Sequence, residues 1–334
     1  MEGLVADVMS NFWAGLGVKV LLVAIIAPTS ALVFGILEMK ISAHMQDRIG
    51  PYFVGAFGWI QLLADGLKFF QKEDIVPTDA DKPMFKLAPV LVLMSSVAIF
   101  IVIPWGPGVV FGELDLGVFY VLALSSVSAV GIIVAGWSSA NKYSLMGGLR
   151  AGGQLIAYEL PLLLSVLNPV IMAGTMNLNG IVEAQVAFGA PFVVVQFVAF
   201  GIFMISALAE LTRLPFDMPI AESELVMGYF TEYTGFRFLF FFIGEYAAMF
   251  GMMLFGATLF LGGYWAPGIP DSIMPLAGPV VLMVKAGFLV LVAIWFRWTW
   301  PRLREDQLQS LAWKWLIPLA LLNIAVTATL KVVL

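Results

Sequence analysis

The chain has 334 residues, 61% of them hydrophobic and only 12% charged, with a formal net charge of −5. Soluble domains carry about 25% charged residues, so the composition excludes an ordinary water-soluble globule and points to a lipid environment. There is no cysteine and one histidine, His44, which excludes disulfides, thiolate-held iron–sulfur clusters and a haem with paired histidine ligands.

Eight apolar runs follow in order: Leu16–Leu37, Leu87–Ile103, Val118–Trp137, Ala151–Gly174, Pro191–Glu210, Phe236–Gly263, Pro279–Trp300 and Leu311–Val333. Each approaches the length that crosses about 30 Å of hydrocarbon at 1.5 Å per residue. Acidic residues, not a basic region, precede the first run, so it reads as a retained helix and not a signal peptide. The expectation is one all-α transmembrane domain over residues 1–334. It carries a loop with an interfacial helix at 38–86 and an acidic loop at 211–235.

Basic residues set the predicted orientation. Lys40, Arg48, Lys68, Lys72, Lys82 and Lys86 follow the first span; Lys142 and Arg150 follow the third; Arg213 and Arg237 follow the fifth; Arg297, Arg302, Arg304 and Lys314 surround the connection after the seventh. The alternate loops, around Glu113, Glu183 and Asp271, have no Lys or Arg. The positive-inside rule then makes the basic loops cytoplasmic and puts both termini outside.

The first basic loop contains Gln46-Asp47-Arg48-Ile49-Gly50-Pro51, a shaped turn that places a cation before a hydrophobic segment. In the segment Phe57–Lys72, Gln61, Asp65, Lys68 and Lys72 draw one polar stripe down an otherwise apolar helix, and Asp65 can pair with Lys68. Such a helix lies along the interface. By pattern alone, a surface anchor fits it better than the wall of a site for an amphiphilic ligand.

Glu159 and Glu245 stand eight to ten residues into the fourth and sixth spans, roughly 12–14 Å deep at 1.5 Å per residue. Glu210 ends the fifth span on the same side, and Glu222 and Glu224 follow it. Ionised carboxylates at depth must be protonated, paired or hydrated. Several acids opening toward one side point to a proton path more than to isolated structural hydrogen bonds. Lys285 in the seventh span is a candidate counter-charge. The loop Arg213-Leu214-Pro215-Phe216-Asp217-Met218-Pro219 has two prolines, which exclude one continuous helix. Its acidity suits a docking surface and the mouth of a proton route equally.

From about Glu38 to the last span, the chain resembles the NuoH family, a membrane component of bacterial complex I. The resemblance rests on Gln46-x-Arg48-x-Gly50-Pro51, Gln61-x3-Asp65-Gly66-x-Lys68, Lys72-Glu73, Tyr158-Glu159, Arg213-x-Pro215-Phe216-Asp217, Glu222-Ser223-Glu224-Leu225, Glu232-Tyr233 and Glu245-Tyr246. It departs from the family pattern at Met39, Tyr52 and Ile220.

The resemblance implies a membrane subunit of a proton-translocating NADH:quinone oxidoreductase in the cell inner membrane, with quinone as substrate. No metal or covalent cofactor is expected in the chain; the iron–sulfur cluster, NADH and FMN belong to partner subunits. Arg48, Gln46, Asp65, Lys68, Phe216 and Asp217 would line or surround the quinone tunnel. Glu159, Glu210, Glu222, Glu224 and Glu245 would form the proton path. Partners would be hydrophilic-arm iron–sulfur subunits and antiporter-like membrane subunits, with no nucleic acid. Two other readings are a self-contained ion or solute transporter and a membrane subunit of a related hydrogenase. The transporter reading explains buried acids but not the loop motifs together with the interfacial helix.

Overall fold

A backbone in hydrocarbon finds no water to bond, so apolar runs satisfy their N–H and C=O groups internally, as helices. The computed structural model describes residues 12–270 and 273–333. The acidic residues before the first span and Asp271 lie outside the described residues. Among these, every regular element is helical: α1 (Phe12–Met45), α2 (Gln61–Gln71), α3 (Lys82–Ala98), α4 (Gly117–Ser138), α5 (Lys142–Ala173), α6 (Leu178–Phe188), α7 (Phe197–Glu210), α8 (Glu222–Leu225), α9 (Gly235–Phe260), α10 (Met274–Thr299), α11 (Glu305–Ser310) and α12 (Ile317–Val333), the last two joined by a π-turn at Leu311–Leu316. Among the described residues, seven stretches are long and apolar enough to cross a membrane, and Phe197–Glu210 is a shorter apolar helix. The fold is that of an all-α, multi-spanning membrane protein.

Several helices depart from their predicted bounds by a turn or more, as Lys82–Ala98 and Met274–Thr299 do, and three of the departures have identifiable reasons. The span predicted over Pro191–Glu210 keeps only 14 residues as α7, after a 3₁₀ turn at Phe192–Val194. One buried amide takes up a backbone N–H there, and a second ties the start of α7 to α12. Gln185 accepts from Phe192 N at 3.1 Å, while Gln196 donates to Thr327 at 2.8 Å and accepts from Asn323 at 3.0 Å. Helix α5 starts nine residues before the predicted Ala151, because Asn141 caps it by accepting from Tyr143 N. The interfacial helix begins at Gln61 and not at Phe57, since Gly55, Phe57 and Gly58 all take positive φ.

Small residues let the helices approach. A Cβ on Gly136 would lie 2.8 Å from Gly148 Cα, so α4 and α5 touch backbone to backbone. The most enclosed span is α9, whose Gly251–Phe260 stretch is wholly buried. The connections 46–81, 139–141, 211–234 and 300–304 gather at one end of the bundle, the loop-rich end.

Candidate functional site

Four charged side chains from four separate segments meet at the loop-rich end. Glu38 comes from the late turns of α1, Arg213 from the turn after α7, Glu245 from α9 and Arg297 from the last turn of α10. Arg213 Nη1 donates to Glu38 Oε2 at 2.9 Å and Oε1 at 3.1 Å. Arg213 Nε lies 3.0 Å from Glu245 Oε1, an ion pair without hydrogen-bond alignment. Arg297 pairs with Glu38 from the other side, and the Arg213 guanidinium sits 4.4 Å over the Tyr246 ring.

The cluster alternates in sign and balances two acids against two bases. Glu38 is 3% exposed and Arg213 8%, so each charge depends on its neighbours for the solvation it has lost. Burial works against the Arg213 charge, but Glu245 and then Tyr246 outweigh it and hold the guanidinium above its ordinary range. From the sequence, Arg213 belonged to a family motif but had no assigned partner, Arg297 was only a loop cation, and Glu38 had no role. Their one signal was position, since Glu38 and Arg297 each sit at the end of an apolar run on the basic side.

Glu38 and Arg297 also border a cavity of about 400 Å³ lined by Met39, Ser42, Arg48, Pro51, Tyr246 and Trp298. Arg48 Nε donates to Gln46 Oε1 at 2.7 Å, and Trp298 Nε1 donates to Ser42 Oγ at 2.7 Å. A second, apolar groove of about 300 Å³ runs between α1, α2 and α9, past Ala31, Leu63, Gly66, Leu67, Phe70 and Phe240. The two spaces approach at Gly35, where a Cβ would stand 2.6 Å from Leu62 Cδ1 and 3.7 Å from Tyr246 Cζ. Leu62 lines the groove and Tyr246 the cavity.

The other predicted residues are distributed differently. Asp65 accepts from Gln61 at 3.0 Å and from Lys68 at 3.3 Å, away from the apolar face of α2 that lines the groove. Phe216 is 1% exposed and packs on the Tyr158 ring at 5.4 Å, and its carbonyl accepts from Gln154 at 2.7 Å. It anchors the loop rather than facing the Arg48 cavity. Asp217 pairs with Arg302 at 3.0 Å. Burial pushes its carboxyl up from the ordinary range, against the pull of Arg302.

The five predicted acids fall into three groups. Glu245 joins the ion cluster. Glu210 borders a cavity of about 40 Å³ with Ser95, Ser96, Ser125 and Ser128, and its Oε2 is buried without a hydrogen-bond partner among the described residues. Glu159 accepts from Ser126 and is near enough to Glu210 to interact electrostatically. Glu222 and Glu224 are exposed on the loop. The Arg150 guanidinium, 2.6 Å from Glu224, holds that carboxyl below its ordinary range.

Glu245 stands ten residues into α9, and Ser126 is twelve residues from the loop-rich end of α4, depths of roughly 15 and 18 Å. The serine cavity begins one turn beyond Glu245, at Ala248, and two residues before Arg213, at Leu211. The four serines carried no weight in the sequence reading, because hydroxyls in apolar runs usually bond back to their own helix.

Lys285 does not balance these acids. It lies toward the other end of the bundle and donates to the carbonyls of Leu261 and Trp265, both at 2.5 Å, and Gly263 at 3.0 Å. His44 Nδ1 lies 2.8 Å from Lys40 O, a side-chain contact back to its own helix.

These features define a polytopic membrane protein whose charged side chains converge, in balanced form, on polar cavities at one end. The sequence model of the family described as NADH dehydrogenase matches residues 18–328, and the chain belongs to that family. It is 46% identical over 324 residues to the H subunit of the NADH-quinone oxidoreductase of Bacillus thuringiensis subsp. konkukian (strain 97-27), covering 96% of this chain and 95% of the relative. The corresponding H subunits of Bacillus thuringiensis (strain Al Hakam) and Bacillus cereus (strain B4264) match to the same extent.

Proposed function

We propose that the chain is the quinone-access and coupling subunit of a proton-translocating NADH:quinone oxidoreductase. The observation that carries this reading is the juxtaposition at Gly35 of an apolar groove with a charged cavity. An isoprenoid quinone has the same two parts, a long apolar tail and a polar head. In this reading the tail lies along α2 between α1 and α9. The head reaches the cavity of Arg48, Glu38 and Arg297.

Electrons come from an iron–sulfur cluster of a hydrophilic-arm subunit, since this chain has no cysteine to hold one. Arg48, steadied by Gln46, donates to a quinone carbonyl oxygen through its planar fork. Reduction changes the charge beside the Glu38–Arg213–Glu245 chain. That change passes to the serine cavity one turn away, where Glu210 and Glu159 exchange protons through water and hydroxyls. A volume of about 40 Å³ exceeds the 10–15 Å³ that one water needs. The basic loops face the cytoplasm, where the hydrophilic arm docks, and Glu159 leads toward the antiporter-like subunits. Asp65, Lys68, Phe216 and Asp217 support the tunnel from outside it.

The test fills the groove. A Cβ at Gly66 meets nothing within 4 Å, so Gly66→Leu adds volume without forcing the backbone. In the intact complex we expect reduction of long-tailed quinone to fall several-fold while NADH-driven reduction of a soluble artificial acceptor is unchanged. Unchanged kinetics with long-tailed quinone would remove the groove from the access route. A self-contained transporter predicts no effect on quinone kinetics at all.

A further inference from the structure

Lys19 is a charge inside a membrane span for which the described residues offer no partner. It lies on α1 near the end remote from the basic loops, and no other charged residue occurs between it and Glu38. Its side chain is half-buried, and among the described residues it has no hydrogen bond or ion pair. An ammonium at a membrane-facing position needs an anion or the headgroup layer.

Lys19 stands at the head of an apolar groove of about 510 Å³. The walls include Leu16 and Val20 of α1 and Met94 and Val97 of α3. The space exists because small residues face it, among them Ala24, Ala27 and Ala98. Its wall on α1 begins at Leu16, one turn outside Lys19, and ends at Pro28; inward from Lys19 that is nine residues, roughly 13 Å along the helix, close to the half-thickness of a bilayer of about 30 Å. Leu16, Val20 and Met94 are well exposed, so the groove opens sideways toward the bilayer.

We infer that this groove is a binding site for a phospholipid of the leaflet remote from the basic loops. Its phosphate pairs with Lys19, and one acyl chain lies between α1 and α3. A cation at the water end of a one-leaflet apolar channel complements a phospholipid in charge, length and polarity. A quinone head has no fixed negative charge to meet Lys19. The site does not rest on the quinone reading, although Pro28 and Ile243 line both this groove and the one beside α2. A lipid held here would form part of the wall that the second groove shares.

The experiment uses the intact complex in nanodiscs containing phosphatidylglycerol with a photoreactive acyl chain. We expect label on the segments 20–28 and 93–101. It should fall several-fold in Lys19→Gln, persist in Lys19→Arg and fall in Ala24→Trp, which fills the channel. A photoreactive fatty alcohol without phosphate should label independently of Lys19. If Lys19→Gln does not assemble, the position of the wild-type label and the Ala24→Trp variant still decide. Absence of label from both segments would overturn the site. So would labelling equal in wild type, Lys19→Gln and Ala24→Trp. A benzoylphenylalanine placed at Val20 that cross-links to another subunit and not to lipid would also overturn it.

Discussion

Arg213 grips both carboxylate oxygens of Glu38, at 2.9 and 3.1 Å, although 175 positions separate the two residues. The contact joins the first helix to the turn that follows the short seventh. Through Glu245 it reaches α9, the most enclosed helix of the bundle. Nearly all of this contact is out of water, so its energetics are those of a buried charge network and not of a surface pair.

Removing one member should therefore be worse than removing two of opposite sign. Arg213→Met leaves two carboxylates facing Arg297 alone, and breaking a buried pair in this way costs about 3–5 kcal/mol. We expect a lower melting temperature of the assembled complex. Adding Glu38→Met to Arg213→Met leaves Glu245 and Arg297 in balance and should recover part of the loss. A double variant that melts below Arg213→Met would show that the residues do not act as one neutral unit.

The acids of the proposed proton route can be separated from the packing they also provide. Gln keeps the size and much of the hydrogen bonding of Glu but carries no exchangeable carboxyl proton. Glu159→Gln, Glu210→Gln and Glu245→Gln should each leave the complex assembled and lower quinone-linked proton pumping several-fold, as read by a pH-sensitive dye in proteoliposomes. Glu224→Gln should change pumping least, because that carboxylate is 50% exposed and paired at the surface. Normal pumping in the three buried variants would remove them from the route.

Lys285 tests a different kind of burial. Its ammonium is the shared donor for three carbonyls at the end of α9 and the turn after it. Lys285→Met would strand them, at about 1–3 kcal/mol for each buried group left unpaired. The expected result is a lower melting temperature with the ratio of quinone to artificial-acceptor activity unchanged. A selective loss of quinone activity would instead tie Lys285 to the site.

Sidedness can be read with single cysteines, because the chain has none of its own. Ser139 is 1% exposed and hydrogen-bonded to Ala135 O, which makes it a poor reporter; Lys142 and Asp115 are exposed at opposite ends of α4. Lys142→Cys should react with a membrane-impermeant maleimide only from the cytoplasm, and Asp115→Cys only from outside. The reverse pattern would invert the orientation.

Hydropathy alone determined the helical, membrane-spanning class and the positions of most spans, because hydrocarbon tolerates only backbones that bond internally. The motifs around Arg48, Glu159, Arg213 and Glu245 were legible as a family resemblance, since they combine polar residue types with fixed local spacing. Helix ends were less legible. Asn141 starts α5 early through its own side chain, and the predicted fifth span opens on a 3₁₀ turn whose Phe192 N–H is held by Gln185 while Gln196 reaches across to α12.

What only the tertiary structure decided is which charges share a site. Local spacing correctly paired Asp65 with Lys68. It carried no information on the contact of Glu38 with Arg213 and Arg297, on the serines around Glu210, or on the three carbonyls that hold Lys285. Those groups lie on helices whose mutual rotation is set by close approaches such as Gly136 on Gly148 and Leu62 on Gly35. In a low-dielectric interior a few ångströms of that rotation decide whether a charge meets its partner, and no one-dimensional pattern records it.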